Sequence, residues 1–249
     1  EFMKIKKARV LKVKKTNVPY KLKRPISRSQ LMEYMDEEEK SRVRRISKGF
    51  REGFKFIKNA PESITVFGSA RISEDHPSYK LTRELGARIA DEGYAVVTGG
   101  AGGLMEAANR GAYESGGESI GVNVILPTEQ HINPYLTKNI TLDYFFSRKV
   151  FLAFGTEAII VAPGGFGTLD ELFEVITLLQ TNKIEPMPII LLGKDFWEEI
   201  FKLLEKKFLH EYKTISREDL NLYTITDDIN EVINIIRKKE QSDLEETFS

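Results

Sequence analysis

The residues best suited to chemistry are two carboxylates behind a run of glycines. "VAPGGFGTLDEL", residues 161 to 172, follows a short apolar run with Pro163, Gly164, Gly165, Phe166, Gly167 and Thr168, and then sets Asp170 beside Glu171. Glycines let a backbone approach an anion closely, and the N–H groups at the start of the next helix carry partial positive charge suited to phosphate. A fixed carboxylate just beyond them can orient a hydroxyl or a water, or face developing positive charge. The same stretch admits a structural reading. Thr168 and Glu171 fit the S/T-x-x-E capping box, in which the Glu serves only its own helix.

A second cluster lies upstream. "YFFSRKV" puts Arg148 and Lys149 just after Ser147, a natural N-cap, and so in the first turn of a helix. Cations there oppose the helix dipole, at a cost of about 0.3 kcal/mol or more each. A local rule broken without local gain points to function, with a salt bridge to the acidic body as the structural alternative. In "GLMEAANRGA", Glu106 is a candidate ligand contact, yet with Arg110 it also has the spacing of an ordinary i,i+4 helix pair. His131 in "LPTEQHINPY" is either a general base or a solvated loop histidine. Met105 and Phe166 read as packing residues, with base stacking as the second option for Phe166.

Several familiar sites are excluded by counting. From Gly100, a dinucleotide fingerprint would need Gly at positions 102 and 105, and 105 is Met. No Walker A string and no G-x-S-x-G elbow occurs. With no Cys and only three scattered His, no metal-ligand spacing arises, and no metal is expected.

These residues need a scaffold, and the pattern around them supplies one. Apolar runs "SITVFG", "YAVVTGG", "SIGVNV", "AIIVAP" and "MPIILLG" alternate with amphipathic stretches, among them "YKLTRELGARIADEG", "GLMEAANRGAYESGG", a helix from Arg148, one from Leu169, one around Trp197 to Phe208, and a final strand and helix near 222 to 238. Alternation of this kind predicts an α/β fold, a Rossmann-like doubly wound, mostly parallel sheet with helices on both faces. In such sheets ligands bind beyond the carboxyl ends of the strands. The Gly-rich turns "FGSAR", "TGGAGG" and "PGGFGT" all fall there.

The chain has 249 residues, 41% hydrophobic and 30% charged, with a formal net charge of zero. That zero is a cancellation. Residues 1 to 58 carry 19 Lys and Arg against 7 Asp and Glu, and the remainder 18 against 30. The division predicts a basic, partly helical N-terminal extension (1–58, helical around Gln30 to Phe56), a nucleotide-binding domain (59–240) and a polar tail (241–249). Glu1-Phe2 reads as a cloning remnant. No aromatic-interleaved or helix-turn-helix pattern accompanies the basic arm, so it is expected to lie against its own acidic body or a partner subunit's rather than on nucleic acid. No membrane-spanning run and no signal peptide pattern occurs, and the cytoplasm is the expected location.

Taken in order, "TGGAGGLMEAANRGA", "YFFSRKVFLAF" and "VAPGGFGTLDELFEVITLLQT" resemble the LOG ("Lonely Guy") family, cytokinin riboside 5'-monophosphate phosphoribohydrolases once described as lysine decarboxylases. The signature P-G-G-x-G-T-x-x-E is matched from Pro163 to Glu171, and the Arg-Lys pair by Arg148-Lys149. The resemblance covers about residues 60 to 238, and the N-terminal extension is similar to that of the longer bacterial branch. It implies hydrolysis of the N-glycosidic bond of a nucleoside 5'-monophosphate, AMP or a cytokinin riboside monophosphate, to free base and ribose 5-phosphate. Arg148 and Glu171 would be catalytic. Gly100, Glu129, Lys149, Gly164, Gly165, Phe166, Gly167 and Thr168 would bind substrate. No cofactor is implied, and a homodimer is expected. A pyridoxal decarboxylase needs a Schiff-base Lys, and no lysine here stands in a context that singles it out. The same scaffold also serves non-catalytic nucleotide or molybdenum-cofactor carriers, which is the alternative reading.

Overall fold

In the computed structural model, residues 28–125 and 132–247 are described. Seven strands form one sheet: β1 (Ser63–Phe67), β2 (Ala95–Thr98), β3 (Ser119–Val124), β4 (Lys138–Leu142), β5 (Ala158–Val161), β6 (Ile189–Leu192) and β7 (Thr224–Thr226). Their order is β4-β3-β2-β1-β5-β6-β7, and every pairing is parallel. The helices are α1 (Arg28–Ile57), α2 (Pro77–Asp91), α3 (Leu104–Glu114), α4 (Phe145–Ala153), α5 (Phe166–Gln180), α6 (Lys194–Leu204), continued by a π-helical turn over Glu205–Glu211, and α7 (Ile229–Thr247).

The period of two along each strand divides its side chains between two helical layers. Ile64, Val66, Ala158 and Ile160 pack with Leu85 and Ile89 of α2, Ala108 of α3 and Val232 and Ile236 of α7. Phe67, Ile159 and Val161 pack on the other face with Phe151 and Leu152 of α4, Leu172 and Val175 of α5 and Trp197 of α6. Both faces are covered, so the central strands are buried on both sides, in keeping with their largely apolar sequences.

The chain runs outward from β1 through β2, β3 and β4, then returns to lay β5 on β1's other side. The strand order reverses between β1 and β5. Their carboxyl ends and that of β2 therefore open onto one crevice, the usual ligand position in such sheets.

Several boundaries differ from the sequence expectation; at the C-terminal end, α7 runs to Thr247, through the stretch expected as a polar tail. "KNITL" forms β4, an edge strand with its first residues exposed, whose short polar sequence lacks the apolar signal of the inner strands. Helix α4 begins at Phe145 with Tyr144 as its N-cap, so Ser147 is the third helical residue and its hydroxyl donates to the Tyr144 carbonyl at 2.8 Å. Arg148 and Lys149 accordingly sit one turn in, where opposition to the dipole is weaker. Helix α5 begins at Phe166 rather than Leu169, because Gly165 takes the N-cap position. Helix α6 ends at Leu204, and the residues beyond it to Glu211 wind as the π turn.

The extension's helix α1 is fastened by rings rather than by charge. Phe50 and Phe54 lie 5.5 and 5.2 Å from Phe151, Phe54 lies 5.5 Å from Phe154, and Gly53 leaves room for the Phe151 ring. Among the described residues they are joined by a bond from Arg45 Nε to the Tyr144 hydroxyl at 3.2 Å and by the Arg42 guanidinium, 5.7 Å from the centre of the Tyr144 ring. Residues 1–27, with most of the Pro-punctuated basic start, lie outside the described residues.

Candidate active site

The crevice at the switch point is a cleft of about 490 Å³. Three loops build it: Phe67 to Arg71 after β1, Gly99 and Ala101 after β2, and Gly165 to Thr168 at the head of α5, with Phe145 and Arg148 contributed by α4. The loops are tied to one another. Ser69 donates its amide to the Pro163 carbonyl at 3.0 Å, and its own carbonyl accepts from the Leu104 amide at 2.8 Å. At Gly103, with φ +67, any side chain would run into the Ser69 carbonyl, so this seam requires glycine.

Glu171 enters the cleft because of its place on α5. Thr168, Glu171, Leu172 and Val175 are the buried residues of that helix, a spacing of three, four and seven that makes one stripe. A carboxylate thus occupies an apolar stripe and is only 6% exposed. It does not close a capping box. Its Oε1 accepts from Arg148 Nη2 at 2.8 Å, from a different helix. Burial pushes the Glu171 carboxyl above its ordinary value, and the charges of Arg148 and Lys149 oppose but do not cancel the rise.

Arg148 also stacks its guanidinium over Phe145 at 5.0 Å, and its Nε is buried without a partner among the described residues. A buried donor left unpaired costs about 1–3 kcal/mol, which is uncommon in a folded interior. Phe166 is 93% exposed at the cleft mouth, so it is not a packing residue of this chain.

Of the residues singled out in the sequence, the structure brings together Arg148, Glu171, Gly165, Phe166, Gly167 and Thr168, with Met105 in the lining. Others stand apart from the cleft lining. Lys149 turns away to Asp170 at 2.8 Å and Glu174 at 2.5 Å. Gly164 has Thr168 packed against its Cα, and Gly100 packs on Asn123. Glu106 accepts from the Tyr79 hydroxyl at 3.2 Å, and Arg110 pairs with Glu74 and Glu114 rather than with Glu106, so that i,i+4 pair does not form. Glu129 and His131 lie outside the described residues. Arg71, an exposed cation in the lining, was not among the candidates, although its place just beyond the first Gly-rich turn was a usable signal.

Among the described residues, no cluster of three or more His, Cys, Asp or Glu could hold a metal ion, and no helix is long and apolar enough to cross a membrane.

Comparison with known proteins agrees with the motifs. The family model described as "Possible lysine decarboxylase" matches residues 105–236, which takes in α3 from Met105 onward, Arg148 and the whole Pro163 to Glu171 signature. This chain is a member of the LOG family. Curated relatives include a probable cytokinin riboside 5'-monophosphate phosphoribohydrolase of Oryza sativa subsp. japonica, 35% identical over 54% of this chain and 55% of that protein. Another, from Arabidopsis thaliana, is 32% identical over 60% of this chain and 75% of its own length. A bacterial LOG relative, from Rhodococcoides fascians, is 29% identical over 58% and 75%. Solved structures with the LOG-like fold include the molybdenum cofactor binding protein of Rippkaea orientalis, with a TM-score of 0.55 at 24% identity over 72% of this chain and 98% of that one. The molybdenum cofactor carrier protein of Chlamydomonas reinhardtii gives a TM-score of 0.52 at 25% identity, over 73% and 99%.

Proposed function

We propose that this protein hydrolyses the N-glycosidic bond of nucleoside 5'-monophosphates of the AMP or cytokinin riboside type, in the cytoplasm, releasing free base and ribose 5-phosphate. The observation that carries the reading is the pairing of Arg148 with a buried Glu171 beside the glycine-rich head of α5. The names of the curated relatives support the same chemistry.

The residues suit the reaction. The amides of Phe166, Gly167 and Thr168 at the first turn of α5 receive the 5'-phosphate, with Arg71 as a further cation in the lining. As the C1'–N bond breaks, its electron pair leaves with the base and positive charge grows on the ribose. The Glu171 carboxylate faces that charge in a site of low dielectric, where its effect is large. Water adds to C1' and loses a proton, and the departing base gains one. Arg148 keeps Glu171 ionised against the cost of burial, and its unpartnered Nε offers a donor to the substrate.

A second copy of the chain is the expected partner. Phe145 and Phe146 at the start of α4 are each about half exposed, with Phe145 in the cleft lining, an apolar pair suited to burial between subunits.

The test is release of free base from AMP, GMP, CMP, UMP and isopentenyladenosine monophosphate, with Glu171→Ala as control. Turnover that disappears in the variant supports the reading and reveals the base preference. Tight binding of a phosphorylated ligand by a folded protein that turns over none of them would favour the carrier reading instead, in keeping with the molybdenum-cofactor proteins that share the fold.

A further inference from the structure

The face of β3 that meets α3 carries Ser119, Gly121 and Asn123, in place of the aliphatic residues on its opposite face. Asn123 is wholly buried at the carboxyl end of the strand. Its Nδ2 donates to the Gly99 carbonyl at 3.1 Å, and its Oδ1 has no partner among the described residues. The two glycines around it make its room. A Cβ on Gly100 would come within 2.6 Å of the Asn123 amide, and one on Gly121 within 3.2 Å.

Neighbouring asparagines behave differently. Asn133 donates its Nδ2 to the Ala101 carbonyl and to Asn109 Oδ1, each at 3.1 Å, accepts from the Tyr135 amide, and gives its own amide to the Gly100 carbonyl. Asn109 is bonded to Thr98, Ser119 and Asn133. These two are satisfied at both ends of their amides and account for the loop at Gly100 and Ala101. Of these three asparagines, Asn123 is the one whose amide oxygen has no partner among the described residues, and its Nδ2 bond goes to Gly99.

Gly99 is one of the two loop residues, with Ala101, that meet the cleft. It lines the cavity, and a Cβ built on it would lie 3.5 Å from Arg148 Nη1 and 2.9 Å from Met105 Sδ. The guanidinium that holds Glu171 therefore lies close beside Gly99, whose carbonyl Asn123 holds.

We propose that Asn123 is a positioning residue: by fixing Gly99 it fixes the seat of the Arg148 guanidinium, and through it the orientation of Glu171. A tolerated unpaired oxygen is the trade for a donor that no aliphatic residue supplies at this strand position. The proposal rests on the hydrolase reading for its kinetic consequence, but the placement of Arg148 can be observed without it.

The experiment compares the full chain with Asn123→Leu, which keeps the side chain's shape and removes its donor. Two readouts are taken. The first is hydrogen exchange of the Arg148 Nε–H, assigned by its disappearance in Arg148→Lys; we expect it to be slow in the parent and at least about tenfold faster in Asn123→Leu. The second is hydrolysis of AMP, where we expect kcat to fall about tenfold or more with KM within about threefold. A purely structural role would lower the unfolding midpoint and leave both readouts near the parent. Unchanged Arg148 Nε–H exchange in a folded variant overturns the proposal. A parent that hydrolyses no nucleotide overturns the function reading, and the exchange readout then decides this one by itself. Should Asn123→Leu fail to fold, Asn123→Ser, which also lacks an amide to reach Gly99, is judged by the same two results.

Discussion

Two arginine–carboxylate clusters in this molecule use the same ions to opposite ends. On the surface formed by α2 and α3, Arg110 reaches Glu74 and Glu114 at 2.9 Å each, and Arg83 pairs with the same Glu114. Burial pushes the Glu114 carboxyl up, but the bonds from Arg110 and Arg83 outweigh it and hold it below its ordinary value. In the cleft, Glu171 has one bond from one arginine, and burial wins, so its carboxyl is raised. Where two arginines meet a half-exposed carboxylate, pairing stabilises the charge. The buried pair leaves the carboxyl raised and an arginine nitrogen without a partner among the described residues. Strained ionisation of that kind marks sites of chemistry more often than sites of stability.

The sharpest way to break this contrast is to neutralise each carboxylate in turn. Glu171→Gln keeps the shape and removes the charge, and we expect kcat on a hydrolysed nucleotide to fall by about 10²–10³ or more, the range for losing one electrostatic stabiliser. Glu114→Gln should stay within about twofold of the parent in the same assay. Equal losses in both would show that the cleft carboxylate has no special role.

That contrast was only half legible in the sequence. The glycine turns, the five apolar strands and Glu171 could be read because each leaves a local pattern, whereas Arg148 drew notice as a first-turn cation and stands one turn further in. The edge strand β4 could not, since "KNITL" is half exposed and its pairing with β3 is a tertiary fact. Glu171's true partner was also hidden. Capping box and cross-helix pair share the same local spacing, and only the placement of α4 against α5 decides between them. The outward turn of Lys149 follows from the helical period, which separates it from Arg148 by about 100°. Asn123 left a faint signal, an amide side chain between two valines near the end of a buried strand.

Acidity sharpens the comparison further. The proposed reaction needs Glu171 ionised, and its pKa lies above the ordinary 4.5, so kcat should fall as pH drops through a value above 4.5. Lys149 does not line the cleft, but its charge pulls the Glu171 pKa down. Lys149→Gln should therefore carry this acid limb to higher pH while leaving the plateau rate largely intact. A limb at or below 4.5 in the parent, or one that Lys149→Gln moves downward, would contradict the reversed electrostatics of the cleft.

The smallest effect concerns stability, where the two carboxylates should show opposite signs. The folded Glu114 carboxyl sits below its unfolded value, so its contribution is present above about pH 4.5 and fades as pH falls through the folded value. The folded Glu171 carboxyl sits above its unfolded value, so its contribution is present below about pH 4.5 and is lost as pH rises through the folded value. Because Glu114 is partly exposed, its pairing is worth at most about 1 kcal/mol. Urea unfolding at neutral pH should thus find Glu114→Gln less stable than the parent by no more than that, and the deficit should shrink on acidification. For Glu171→Gln the comparison runs the other way: removing a charge that folding holds in a poor environment offsets the lost bond to Arg148, and its stability relative to the parent should improve as pH rises from about 4 to 7. Parallel pH trends in the two variants would mean that both clusters are held by pairing alone, and the buried carboxylate would lose its distinction.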